Sequence, residues 1–165
     1  MLTPLYLGVV LGPLSLSGTI NMLPTLSEDF GISLSLAGLA LTIFVLSLVI
    51  VQLCSGVIAD VLGPSRALVL GLLVFSVSCL AAAAVSSYPA FLVARAAQGL
   101  GVGLTTPVSM GIAVEQAPTG QTSTAIGGIQ AAFTLGLALG PTTGGLFAEH
   151  LDWRGFYVFL AGSAI

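Results

Sequence analysis

Apolar residues run along this 165-residue chain in long blocks, which short polar segments separate. Each complete block has about the 20 residues that an α-helix needs to cross the hydrocarbon core of a bilayer. Polar and apolar residues do not alternate within the blocks, which argues against the strands of a membrane barrel. The predicted spans cover residues 5–26, 36–59, 67–85, 90–114 and 122–147, with a sixth beginning at 155–165. The pattern therefore predicts an all-α integral membrane bundle of five complete transmembrane helices plus the start of a sixth.

The segments between the blocks are short and polar, so consecutive helices are expected to be antiparallel neighbours. The first block lacks a positively charged leader and is too long for the apolar region of a signal peptide, so we interpret it as a retained span. Trp153 and Arg154, just before the last block, fit an aromatic and a charge that anchor a helix at the membrane interface. The sixth block reaches the end of the sequence before it is long enough to span.

Composition supports the membrane class independently. Hydrophobic residues make up 56% of the chain and charged residues only 5%, whereas a soluble domain carries about 25% charged residues. The lipid bilayer is therefore the expected surrounding. The net charge is −3, with three arginines and no lysine. Because a nucleic-acid interface needs a basic surface, nucleic acid is excluded as a partner.

The sequence offers no catalytic or metal-binding pattern. The single histidine, His150, stands in a polar segment, and no residues have the spacing of metal ligands. Cys54 and Cys79 fall inside apolar blocks and are interpreted as small hydrophobic residues. We therefore expect no enzyme activity, no metal and no cofactor.

The fifth block contains an unusual number of glycines for a helix. Its pattern is G-x8-G-x3-G-P-x2-G-G, formed by Gly127, Gly136, Gly140, Pro141, Gly144 and Gly145. Glycine disfavours helices in water, but in a bilayer it lets a second helix backbone approach closely. Small residues recur every four positions, which places them along one side of the helix: Gly128, Ala132, Gly136, Gly140 and Gly144. This pattern resembles the glycine–proline motif in the fifth helix of major facilitator superfamily transporters, which is associated with antiporters and especially with drug/proton exporters.

Arg95 is the charge that lies inside a predicted span. A charge at that depth is costly and normally faces the protein interior or a watery cavity. Arg95, Gln98 and Gly99 resemble the R-x-x-Q-G motif of the family's fourth helix, which implies a role in proton transfer or in binding within the central cavity. Because arginine does not deprotonate, it would hold an anion, orient water or shift the pKa of a neighbour. The alternative is that Arg95 extends to the membrane surface.

The loop between the second and third spans carries a second resemblance. Gly56, Asp60 and Gly63 match the core of the family's loop motif, in which the aspartate is thought to lock one conformation by meeting a helix end in the other half. The basic residues usual in this motif are absent, and Arg66 comes one position late. A solvated loop without a switching role is the alternative interpretation.

The first span matches the family only in part, through Gly18, Asn21 and Pro24. Asn21 is expected either to line a cavity or to form a hydrogen bond with a neighbouring helix. No carboxylate lies within this span, although many drug/proton exporters have one there, and Glu28 and Asp29 come after it.

Taken together, the resemblance implies the N-terminal six-helix half of a transporter that works by alternating access. It implies a cavity between helices one, two, four and five, with Arg95, Gln98 and Asn21 as its polar residues. The glycine–proline helix would pack against a missing C-terminal half, and the isolated chain would not transport. The resemblance also places the 60–66 loop in the cytoplasm of a multi-pass protein in the plasma (inner) membrane of a prokaryote.

Three functions remain open at this level. The first is proton-coupled efflux of small organic molecules. The second is uptake of a small organic anion or metabolite by a symporter or uniporter, because the charge inside a span is positive. The third is a non-transporting membrane fragment or a helix-packing partner of another subunit.

Overall fold

The computed structural model describes residues 3–164, and every regular element in that range is an α-helix. The helices are α1 (Thr3–Asp29), α2 (Leu34–Ala37), α3 (Leu39–Leu62), α4 (Pro64–Ala84), α5 (Tyr88–Glu115), α6 (Thr122–His150) and α7 (Trp153–Ser163). The short α2 leads through Gly38 directly into α3, so the two form one apolar span, Leu34–Leu62. The predicted all-helical class is therefore confirmed.

The helices lie where the apolar blocks predict them. Four stretches are long and apolar enough to cross a membrane: Leu5–Asp29, Leu34–Leu62, Pro64–Ala84 and Thr122–His150. Helix α5 is equally long at 28 residues, but its polar residues, Arg95 and Gln98 among them, lower its hydropathy. The number of complete spans is therefore four on length and hydropathy together, and five on length alone.

Helix pairing follows a simple scheme. Helix α1 packs mainly against α6, α5 packs between α3 and α4, and α7 packs against α4. Exchanging the first three spans for the second three would convert the α1–α6 pair into the α5–α3 pair, as in transporters built from repeats of three helices. Because lipid tails are as apolar as leucine side chains, such pairs are held by close packing rather than by the hydrophobic effect.

The small-residue stripe of α6 is the surface that contacts α1. Gly136, Gly140 and Gly144 are buried there. A Cβ atom added at Gly140 would lie 2.8 Å from the backbone nitrogen of Gly18 and 2.9 Å from the carbonyl oxygen of Leu14. Glycine is therefore required, because the two backbones are too close for any side chain.

The expectation that this motif packs against a missing half is wrong for its buried glycines, which face α1 of the same chain. Gly127 and Gly145 instead have open space around an added Cβ, and Pro141 is exposed. An α-helix turns about 100° per residue, so the adjacent Gly144 and Gly145 face different neighbours. The motif thus supplies two faces, of which one is used within the described residues.

Two buried hydrogen bonds attach α7 to the bundle. The hydroxyls of Thr19 and Tyr157 are 3.0 Å apart, and Ser76 Oγ donates to the Ala161 carbonyl oxygen at 3.0 Å. All three side chains are buried. They connect α7 to α1 and α4, so the last helix has a fixed position although it is short.

An ionic contact ties the start of α7 to the end of α1. Trp153 Nε1 donates to Asp29 Oδ2 at 3.2 Å, and Arg154 Nη2 lies 3.2 Å from the same oxygen. Trp153 is buried against the rings of Phe30 and Phe91. The interpretation of Trp153 as an anchor in the membrane interface is therefore wrong, because protein rather than lipid surrounds it.

Two neighbouring glycines test this packing. Gly144→Ala would place a methyl group 2.6 Å from the Gly18 Cα, so we expect it to destabilise the protein by about 1–3 kcal/mol, as overpacking does. Gly145→Ala adds its methyl group in open space and removes a poor helix former, so we expect no loss of stability. The measurement is the apparent melting temperature of each purified variant in detergent. Equal losses for both variants would contradict the assignment of the stripe.

Candidate functional site

Arg95 lies in the second turn of α5 and is 0% exposed. Its neighbours come from α1, α3 and α7 as well as from its own helix, namely Ser15, Ala40, Tyr157 and Gln98. The side chain therefore does not extend to the membrane surface, and the interior placement predicted for a charge in a span is the one observed. The surrounding helices close over it because glycines on α5 allow them to come near.

The hydrogen bonds of Arg95 all go to neutral acceptors. Its Nη1 donates to Ser15 Oγ at 3.0 Å and to Gln98 Oε1 at 2.5 Å, and its Nε donates to the Ala40 carbonyl oxygen at 3.4 Å. Gln98 is oriented in turn, because its Nε2 donates to the Ser78 carbonyl oxygen at 3.4 Å. A guanidinium carries five N–H donors, and Nη2 finds no acceptor among the described residues.

No carboxylate of residues 3–164 lies within 4 Å of Arg95, since the ion pairs found there involve Arg154 and His150. Aromatic rings partly replace the missing carboxylate as partners of the cation. The Arg95 Cζ is 4.4 Å from the centroid of the Phe44 ring and 5.9 Å from that of Tyr157. The negative face of a ring attracts a cation, most strongly where water is excluded. The buried charge is therefore held by dipoles and rings, with hydrogen-bonding capacity left over.

A cavity of about 230 Å³ lies near this cluster, between α1, α3, α5 and α6. It is lined by Gly12, Pro13, Leu16, Phe44, Val45, Leu48, Gln52, Val102, Thr106, Phe133 and Leu137. Only Gln52 and Thr106 are polar. These four helices are the first, second, fourth and fifth spans, as the resemblance implied. The cavity is suited to an apolar or aromatic molecule.

The predicted polar residues of this cavity are not on its wall. Arg95 and Gln98 are fully buried beside it. Asn21 lies elsewhere on α1, where its Nδ2 donates to the Pro141 carbonyl oxygen at 2.9 Å. Of the two roles expected for Asn21, the structure has the hydrogen bond to a neighbouring helix. The sequence could not make this distinction, because a polar residue in a span fits either place.

The predicted switch loop is found at the junction of α3 and α4. Gly63 separates the two helices with φ of 84°, a value that favours glycine. Asp60 and Arg66 are exposed on either side of it, and no ion pair joins them within 4 Å. Asp60 and Gly56 instead line a cavity of about 250 Å³ that also includes Glu115 at the end of α5. Asp60 of the loop and Glu115 of α5 thus border the same cavity.

Sequence reasoning missed Phe44 and Ser15, which complete the surroundings of Arg95. Phe44 is one of eight phenylalanines in an apolar chain, so nothing in the pattern singles it out. Ser15 gives a weak signal, since it is a hydroxyl residue in the middle of a span. Asp29 follows the first predicted span, and only the fold brings it to Trp153.

Comparisons with known proteins agree with this geometry. The quinolone resistance protein NorA of Staphylococcus aureus is 31% identical over 153 residues, which is 93% of this chain and 39% of NorA. The multidrug transporter AQR1 of Candida glabrata is 26% identical over 138 residues, or 84% of this chain and 23% of AQR1. The chain therefore spans well under half the length of these curated relatives.

Solved structures share the fold. The inward-open xylose transporter XylE from E. coli superposes with a TM-score of 0.85 at 20% identity, over 98% of this chain and 44% of XylE. The peptide transporter POT in complex with sulfate gives 0.84 at 22% identity, over 99% of this chain and 35% of POT. The family model of the Major Facilitator Superfamily matches residues 5–165. The chain belongs to the Major Facilitator Superfamily.

Proposed function

We propose that the chain is the N-terminal half of a secondary active transporter that exports small organic molecules by alternating access, driven by protons. The observation that carries the proposal is the apolar cavity between α1, α3, α5 and α6, with Arg95 buried beside it. The names of the relatives support export, since NorA is a quinolone resistance protein and AQR1 a multidrug transporter. The proposed substrate is therefore a small apolar or aromatic molecule.

Proton coupling needs a group that titrates, and arginine does not. The spans described here contribute no carboxylate to Arg95, so the proton carrier lies in another part of the full transporter. Arg95 then acts as a fixed positive charge that lowers the pKa of that carrier when the two approach. Gln98 and Ser15 keep the guanidinium in place for this encounter.

Uptake of a small organic anion is the second candidate, and one observation favours it. The buried charge is positive, and its Nη2 has no acceptor among the described residues. An anionic substrate would supply the missing acceptor. The direction of flux under an imposed pH gradient separates the two candidates.

The Asp60–Arg66 loop is proposed to face the cytoplasm and to lock one conformation through Asp60, in a multi-pass protein of a bacterial plasma membrane. Support comes from the exposure of Asp60 at a cavity that Glu115 also lines and from the bacterial origin of NorA. The positive φ of Gly63 fixes the turn that presents the carboxylate.

Replacing Arg95 tests the proposed transport role. In proteoliposomes with an imposed pH gradient, Arg95→Ala is expected to lower quinolone flux about tenfold or more, because hydrogen bonds to a charged group contribute about 1.5–3 kcal/mol each. Arg95→Lys keeps the charge but cannot reach Ser15, Ala40 and Gln98 together, so we expect partial activity.

The control for Arg95 is Arg154→Ala, which removes an arginine whose ion pair with Asp29 is partly solvated. Such pairs contribute about 0–1 kcal/mol, so flux should change little. Undiminished flux in Arg95→Ala, with the variant present at normal levels in the liposomes, would remove Arg95 from the mechanism.

Asp60→Asn tests the conformational lock. We expect flux to fall while the apparent melting temperature stays unchanged, because Asp60 is exposed and makes no ion pair within the described residues. Glu149→Gln, an exposed carboxylate at the opposite end of the helices, serves as the matched control. A simple solvated loop would leave flux equal in both variants.

The isolated chain provides a further test of the half-transporter proposal. Residues 1–165 reconstituted alone are expected to give no gradient-driven flux, because the cavity is bounded by one bundle and alternating access needs two. Flux should appear with the full-length protein under the same conditions. Transport by the 165-residue chain alone would refute the proposal.

A further inference from the structure

The ring of Phe44 borders two regions of different polarity. It forms part of the wall of the 230 Å³ cavity, with Leu48 and Gln52 one and two turns further along α3. The Arg95 Cζ lies 4.4 Å from the centroid of the same ring. Arg95 is absent from the cavity wall, and Arg95 and Phe44 are both 0% exposed. Phe44 is thus the residue that contacts the buried cation and also borders the apolar cavity.

The backbone that carries this ring is held firmly against α5. Gly99 has no side chain, and an added Cβ there would lie 3.0 Å from the Ser47 Cβ and 3.1 Å from the Leu48 nitrogen. One turn before Phe44, the Ala40 carbonyl oxygen accepts from Arg95 Nε. The remaining freedom of Phe44 is rotation of its side chain between rotamers, and the cavity is the open space that the ring borders.

Burial leaves part of the hydrogen-bonding capacity of Arg95 unused. Its Nη2 is buried without an acceptor among the described residues, and an unpaired buried donor on a charged group is costly. The contact between cation and ring compensates for part of that cost. A hydrogen-bond acceptor that replaced the ring would compensate for more, because it would pair the free N–H groups directly.

We infer that Phe44 is a movable partition, which shields Arg95 from the cavity in this conformation and exposes it when the ring turns aside. With the ring in place the cavity accepts an apolar body. With the ring displaced it also offers a fixed cation to a carboxylate or another acceptor on the same molecule. The inference also assigns the substrate chemistry, namely amphipathic molecules that carry a hydrogen-bond acceptor. This assignment rests on the proposed transport function. Phe44 is then a specificity-determining residue.

Arginine-selective labelling tests the partition directly. The probe is phenylglyoxal, an uncharged aromatic dicarbonyl, applied to the purified full-length protein in detergent, with adducts located by peptide mass spectrometry. The chain has three arginines, and the exposed Arg66 serves as the internal standard. In the unmodified protein Arg66 is labelled and Arg95 is protected. In Phe44→Ala, we expect labelling at Arg95 relative to Arg66 to rise about tenfold, because both the cover and the cation–π contact are removed.

Phe133→Ala is the matched control. Phe133 lines the same cavity but is not one of the rings that contact Arg95. Its truncation removes the same side-chain group from the cavity wall, and we expect Arg95 to stay protected. Phe44→Tyr keeps the ring and should also keep the protection. If Phe44→Ala does not fold, Phe44→Leu is measured with the same expected direction, since leucine lacks the aromatic face. The apparent melting temperature is recorded for each variant.

Three results would overturn the partition. They are labelling of Arg95 equal to Arg66 in the unmodified protein, continued protection in a folded Phe44→Ala or Phe44→Leu, and equal labelling in Phe133→Ala. The labelling needs no flux, so it is separate from the test of transport. If the expected labelling appears without substrate transport, the partition stands and the proposed function fails. If transport appears without the expected labelling, the partition fails and the proposed function stands.

Discussion

Close approach of helix backbones at glycine is the constraint on which this structure depends. In a bilayer, helices gain nothing by hiding apolar side chains from lipid, so contact area and packing must hold them together. Gly140 and Gly144 bring α6 onto α1, and Gly99 and Gly103 bring α5 onto the backbone of α3. All four of these helices contribute to the cavity wall, so positions without side chains hold together the helices that form it. The motif noticed in the sequence is thus part of the cavity's construction.

The same approach explains why a cation can be buried without a carboxylate. Because Gly99 lets α3 lie against α5, the Ala40 carbonyl oxygen and the Phe44 ring come within reach of Arg95. Ser15 and Gln98 complete a shell of neutral groups. Removing an ion from water is expensive, and this shell compensates only in part. Among the described residues the guanidinium is left incompletely satisfied beside an apolar cavity.

The contacts between α1 and α7, close to Arg95, show the opposite design, since the polar groups that form them are paired with one another. Asp29 accepts from Trp153 and pairs with Arg154, and Tyr157 meets the Thr19 hydroxyl. These contacts tie the first and last helices into one body. Alternating access by rocking of bundles requires that each bundle move as a unit. Fixed contacts at the helix ends and an adaptable site between the helices are consistent with that requirement.

By itself, the sequence predicted the all-α membrane class, the position of the apolar spans and the close-packing side of α6, and it favoured an interior position for Arg95. These follow from the length of apolar runs, the cost of a charge in hydrocarbon and the four-residue spacing of small residues. Tertiary structure alone decided that the glycine stripe contacts α1, that Asn21 bonds to Pro141, and that the Phe44 ring contacts Arg95. The physical reason is that lipid and protein interior are equally apolar. A helix in a membrane therefore carries little hydrophobic asymmetry to tell one side from the other, and only its packing partners assign its faces.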